Sequence, residues 1–147
     1  MSFFVYGLAI VLIILVPNVV FALCNKDGFE NTWHNKAVEI LEQIGRFSCM
    51  IFMFIVIPEV SFRSGDAFVL CIIVNMALVL LYCLFWIIFF KKNNMAKAVL
   101  LSVIPSVIFL FSGFISGNIP LIIAAVIFAP CHILISVKNV TEKEKTE

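Results

Sequence analysis

The stretch NKAVEILEQIGRFSCMIFMFIVIPEV, residues 35–60, decides how the rest of the chain is read, because it carries several charges into an otherwise apolar segment. At about 100° per residue, Glu39, Glu42, Gln43, Arg46, Cys49, Met50 and Met53 fall on one helical face. Its uninterrupted apolar part, Phe47 to Ile57, is too short to cross a bilayer, which takes about 20 residues at 1.5 Å each. The helix must therefore begin before Glu39, and this carries Glu42 and Arg46 into the membrane. An ionisable group at that depth is a functional-site hypothesis by default.

Composition supports the membrane reading. Of 147 residues, 63% are hydrophobic and only 13% charged, and the mean hydropathy is +1.16, far above that of a soluble domain. A net charge of +1 offers no basic surface for nucleic acid. The five cysteines form no CxxC pair, and four lie in apolar runs where a thiol acts as a small hydrophobe, so no disulfide framework is implied. The N-terminus lacks the positive start of a signal peptide, and Leu23 stands where a lipoprotein site requires a small residue.

Outward from the opening stretch, the sequence predicts an all-α, polytopic transmembrane helix bundle of about five spans. These lie near residues 3–23, 37–57, 67–90, 97–114 and 119–137, forming a single transmembrane domain over 1–137, with a frayed hydrophilic tail at 138–147. Pro17 in the first span, Pro105 in the fourth and Pro130 in the fifth are expected to kink their helices, with Asn18 or a neighbouring helix satisfying the carbonyl freed by Pro17. Residues 25–28 read as a turn, Trp33 as an interface residue, and residues 59–66 as a short connection after Pro58. Asn75 reads as an interhelical hydrogen bond, and Tyr82 and Trp86 as interface anchors. Lys91, Lys92, Asn93, Asn94 and Lys97 read as a basic connection. The apolar run from Ala98 to Val137 would be about 60 Å long as one helix, twice the hydrocarbon thickness. It must break at residues 112–118, with Asn118 as N-cap and Pro120 near the first turn of the next helix.

Charge sets the expected orientation. Lys26, Lys36, Lys91, Lys92, Lys97, Lys138, Lys143 and Lys145 all fall on one side of a five-span chain, and only Arg63 falls on the other. This places the N-terminus outside and the C-terminus in the cytoplasm. Asn18, Glu39, Glu42, Gln43, Arg46, Tyr82, Cys83, Ser102, Ser106 and His132 then lie in the cytoplasmic half, and the outer half is nearly featureless. The candidate site is the polar cluster Asn18, Glu39, Glu42, Gln43, Arg46 and His132, either a pocket open to the cytoplasm or an ion pair that fixes helix register. Glu42 precedes Arg46 by four residues, the favourable order for a pair.

No catalytic constellation is recognisable. Two histidines without HExxH or CxxC do not make a zinc site, Ser102 with His132 lacks a GxSxG context, and no metal or cofactor is expected. The reading is an accessory, binding or sensor-type membrane protein whose partners are the bilayer and a membrane-protein partner or second copy. The alternative is a small oligomeric transporter or channel using Glu42 and Arg46. Against it stand the neutralising Arg46 and the lack of an internal repeat.

Val16-Pro17-Asn18, the loop Asn25-Lys26-Asp27-Gly28-Phe29-Glu30 and Leu41-Glu42-Gln43-Ile44-Gly45-Arg46 resemble a group of small integral membrane proteins of low-GC Gram-positive bacteria that has no assigned activity. The resemblance covers roughly the first third of the chain. It implies a bacterial plasma membrane location and contributes no catalytic residues.

Overall fold

The computed structural model describes residues 2–25, 31–55, 65–91 and 94–146. Five helices follow in order: α1 (Ser2–Cys24), α2 (Lys36–Phe54), α3 (Gly65–Phe89), α4 (Met95–Ser116) and α5 (Ile119–Thr146). The turn at 26–28, the connection at 59–64 with Pro58 and Arg63, and Lys92 and Asn93 lie outside the described residues. The protein is an all-α polytopic bundle. α1, α3, α4 and α5 are each long and apolar enough to cross a membrane. Its outer surface agrees with this, since Ile73, Leu80 and Ile87, seven residues apart on α3, are 62%, 65% and 75% exposed. An apolar stripe of that length belongs against lipid.

Contacts between the helices close a ring in the order α1, α3, α4, α5, α2 and back to α1. α1 and α3 run parallel, because Tyr6 meets Cys71 at one end and Asn18 meets Tyr82 nearer the other. α2 runs antiparallel to α5 along its length. Asn118 donates to the Phe52 carbonyl at one end, Glu42 meets His132 midway, and Thr32 and Trp33, just before α2, bond Asn139 at the other. Gly45 permits that approach, as a Cβ there would sit 2.9 Å from the Phe128 backbone.

The expected break in the long apolar run is present. Gly117 caps α4 in the left-handed region at φ 68, where a side chain would be strained. The Asn118 side chain accepts from Leu121 N at 3.1 Å as the cap of α5. The break is narrower than residues 112–118: Gly113 lies inside α4, packed against Ile122. Pro17, Pro105 and Pro130 each lie within continuous helix. Pro17 and Pro105 are each followed by a residue whose side chain donates to the carbonyl four residues earlier. Asn18 bonds Ile14 O at 2.8 Å, and Ser106 bonds Ser102 O at 2.8 Å. The carbonyls that lose a partner to the prolines are those of Ile13 and Leu101, so these bonds reach the neighbouring carbonyls, and Asn18 does not satisfy the freed carbonyl as expected.

Three expectations need correction. The described part of the tail, 138–146, is not frayed, because α5 continues to Thr146. Asn139 ties it to Asn31, Thr32 and Trp33, the Thr141 hydroxyl bonds Val137 O, and Lys145 pairs with Glu142 at 2.9 Å. Tyr82 and Trp86 are not interface anchors. They share the inward face of α3 with Asn75 and Val79, and are 2% and 4% exposed. The other half of the bundle is not featureless either: Asn75 donates to Tyr6 Oη at 2.8 Å and Ser112 Oγ at 2.7 Å, joining α3 to α1 and α4. Asn75 is thus the interhelical bond expected of it.

Candidate functional site

The inward stripe of α2 is Glu42, Gly45, Cys49 and Met53, all buried, four or three residues apart. Asn35 caps the helix, its side chain accepting from Val38 N, and its own N–H reaches Glu39 Oε1 at 3.3 Å, a reciprocal capping arrangement. Glu42 is 2% exposed, and its Oε1 gathers three contacts. Arg46 Nε donates at 3.0 Å, Arg46 Nη2 also donates, and His132 Nδ1 lies at 2.9 Å. His132 stacks on Phe128, one turn earlier on α5, with ring centroids 4.6 Å apart. Gly45 and Phe128 therefore set the separation of α2 and α5 that lets the imidazole reach the carboxylate. A buried carboxylate needs such partners, since desolvation alone would cost several kcal/mol.

Beside this triad lies a cavity of about 890 Å³ to which all five helices contribute. The size is that of a pocket for a small organic molecule, roughly 300–1,000 Å³. Asn18, Glu39, Glu42, Gln43, Arg46 and His132, the six residues picked out from the sequence, all line it, together with Tyr82 and Ser102. Gln43 is exposed at its edge, and Glu39 is half-buried beside His34, Nδ1 to Oε1 3.7 Å. Asn18 Nδ2 bridges Ile14 O and Tyr82 Oη, both at 2.8 Å. Ser102 spends its hydroxyl on the carbonyls of Ala98 and Val99 and so does not bond His132. Ser106 is buried and Cys83 half-buried, and neither lines the cavity. Among the described residues no three His, Cys, Asp or Glu side chains are grouped to hold a metal ion.

Sequence reasoning missed Lys97. It belongs not to a loop but to the first turn of α4, where Asn94 caps the helix by accepting from Lys97 N at 3.0 Å. Its side chain is 7% exposed and lines the cavity, with Nζ 3.9 Å from the Phe21 ring centre and 5.2 Å from that of Trp86. Phe21 and Trp86 in turn pack together at 4.9 Å. The available signal was that Tyr82 and Trp86 continue the stripe begun by Asn75 and Val79, in steps of four, three and four residues, which turns both aromatic rings inward.

The cavity is blind. Its deepest lining residues are Met50, Pro105, Phe109 and Phe128. Beyond them along their helices, Met53, Ser112 and Leu121 are each 0% exposed. The chain matches no protein-family model, and no match was found among curated proteins or solved structures.

Proposed function

We propose that this is a small multi-pass protein of the plasma membrane, of accessory, binding or sensor type, whose cavity opens toward the cytoplasm. The observation that carries the reading is a blind cavity at the lysine-rich end of the bundle, whose mainly apolar wall carries Glu42, Arg46, His132 and Lys97. Lys36, Lys91, Lys97, Lys138, Lys143 and Lys145 all belong to that end, and positive charge in short segments favours the cytoplasmic side. α2 counts as the fifth span, since it accompanies α5 from Asn118 to Asn139. Its charged residues past the first position, Glu39, Glu42 and Arg46, line the cavity, which makes the crossing tolerable.

Binding is favoured over conduction by the packed layer beneath the cavity and by the engagement of Glu42 Oε1 with both Arg46 and His132. A carboxylate so occupied does not readily carry a proton or cation. Proteoliposomes loaded with potassium and a pH-sensitive dye test this. The binding reading expects leak no faster than in protein-free vesicles. A flux that disappears in Glu42→Gln would replace it with the conduit reading.

A further inference from the structure

The cavity's wall is incomplete on one side. α1 and α2 touch at one end, where Gly7 lies directly against the Met53 backbone. Toward the other end both helices line the cavity, yet Val19 on α1 and Ile40 and Ile44 on α2 are 53%, 57% and 55% exposed. Among the described residues, then, the cavity reaches the lipid-facing surface through a gap with apolar edges. Inside stands Lys97, over nine-tenths buried. The rings of Phe21 and Trp86 cover part of its ammonium group. No described residue accepts a hydrogen bond from Nζ, and no carboxylate lies within 4.0 Å of it, the ion pairs of the described residues being formed elsewhere. An ammonium group has three donors to satisfy. Glu42, the buried carboxylate of the same cavity, is already neutralised by Arg46.

We infer that the cavity holds an anionic amphiphile, its acidic head group on Lys97 and its acyl chain leaving through the gap between α1 and α2. This rests on the binding reading above and names its ligand class. The head group, a phosphate or carboxylate, would accept from Nζ near the start of α4, where the helix dipole adds to the attraction. Bulk lipid and a soluble organic acid could share that head group. The apolar gap selects the first.

Trp86 provides the readout in a Trp33→Phe protein, where it is the sole tryptophan. The protein is reconstituted in phosphatidylcholine vesicles doped with phosphatidylglycerol, and either lipid is supplied with brominated acyl chains. The expected result is that brominated phosphatidylglycerol quenches Trp86 at about one-tenth the mole fraction that brominated phosphatidylcholine needs, the worth of one charge-assisted hydrogen bond. Lys97→Arg keeps that preference and Lys97→Gln abolishes it. Narrowing the gap with Val19→Phe and Ile44→Phe together weakens quenching by both lipids. Equal quenching by the two lipids, or an undiminished preference in Lys97→Gln, overturns the anionic head group. Relief of quenching by millimolar glycerol phosphate assigns the site to a soluble anion and overturns the amphiphile. Should Lys97→Gln not fold, the head-group comparison and the gap variant still decide. If no brominated lipid reaches Trp86 while glycerol phosphate also leaves its emission unchanged, the binding reading itself fails.

Discussion

The two ends of the bundle bury polar groups by opposite means. At the closed end they are neutral amides and hydroxyls: Asn75 Nδ2 joins Tyr6 to Ser112, although its buried Oδ1 has no hydrogen-bond partner among the described residues, and Asn118 reaches the Phe52 carbonyl. Glycine lets backbones touch there, Gly7 against Met53 and Gly113 against Ile122. At the open end the polar groups are ionisable, Glu42 and Lys97 buried and Arg46 and His132 partly exposed, and the helices stand apart around a cavity. Small residues and amide or hydroxyl bonds are what membrane helices use to associate. Buried charges add little net stability, so their presence points to another use. The closed end holds the helices together, and the open end has the surface for a ligand.

That contrast can be broken by mutation. The largest effect is expected for Arg46→Ala, which leaves the Glu42 carboxylate with His132 alone. For a fully buried pair the cost is about 3–5 kcal/mol, and the partial exposure of Arg46 puts it near the lower figure. Replacing both partners, Glu42→Gln with Arg46→Met, should recover most of it. Melting curves in detergent for the single and double variants measure this; a double variant no more stable than Arg46→Ala would mean that Glu42 is held chiefly by something other than the arginine.

Next comes Gly7→Val at the closed end. Its side chain would collide with the Met53 backbone, and overpacking of that kind costs about 1–3 kcal/mol. The same melts report it, and a loss below that of Gly65→Ala, at a site with open space around it, would remove the close contact from the account. Asn75→Leu is expected to cost about 1 kcal/mol, typical of an interhelical hydrogen bond in a membrane. Because its partners are neutral, the loss should be insensitive to salt, which melts at two ionic strengths would check.

The fold was legible because membrane thickness is a ruler. A run twice the hydrocarbon thickness had to turn, and Gly117 and Asn118 were the residues equipped to turn it. The Glu42 and Arg46 pair was legible from its four-residue spacing. Its third member was only partly so: His132 could be assigned to the same depth, but no local pattern joins residues 90 apart in the chain. Lys97 was hidden by its neighbours, since Lys91 and Lys92 made it look like part of a basic loop. Phe21 and Trp86, which hold it inside, arrive from two other helices. Tyr82 and Trp86 were misread because aromatic residues near a span's end commonly mark the interface. The length of α5 depends on Asn139 and its partners before α2, again a tertiary cause.

The central claim is that the cavity opens to the cytoplasm and is closed to the other side. Ser136 lines the cavity near its mouth and is half-buried. In a protein whose five cysteines are replaced by alanine and whose helicity is intact, Ser136→Cys should react with a membrane-impermeant thiol reagent in inverted membrane vesicles and stay unreacted in right-side-out ones. Reaction in the right-side-out vesicles alone would reverse the orientation, and reaction in both would contradict a blind cavity.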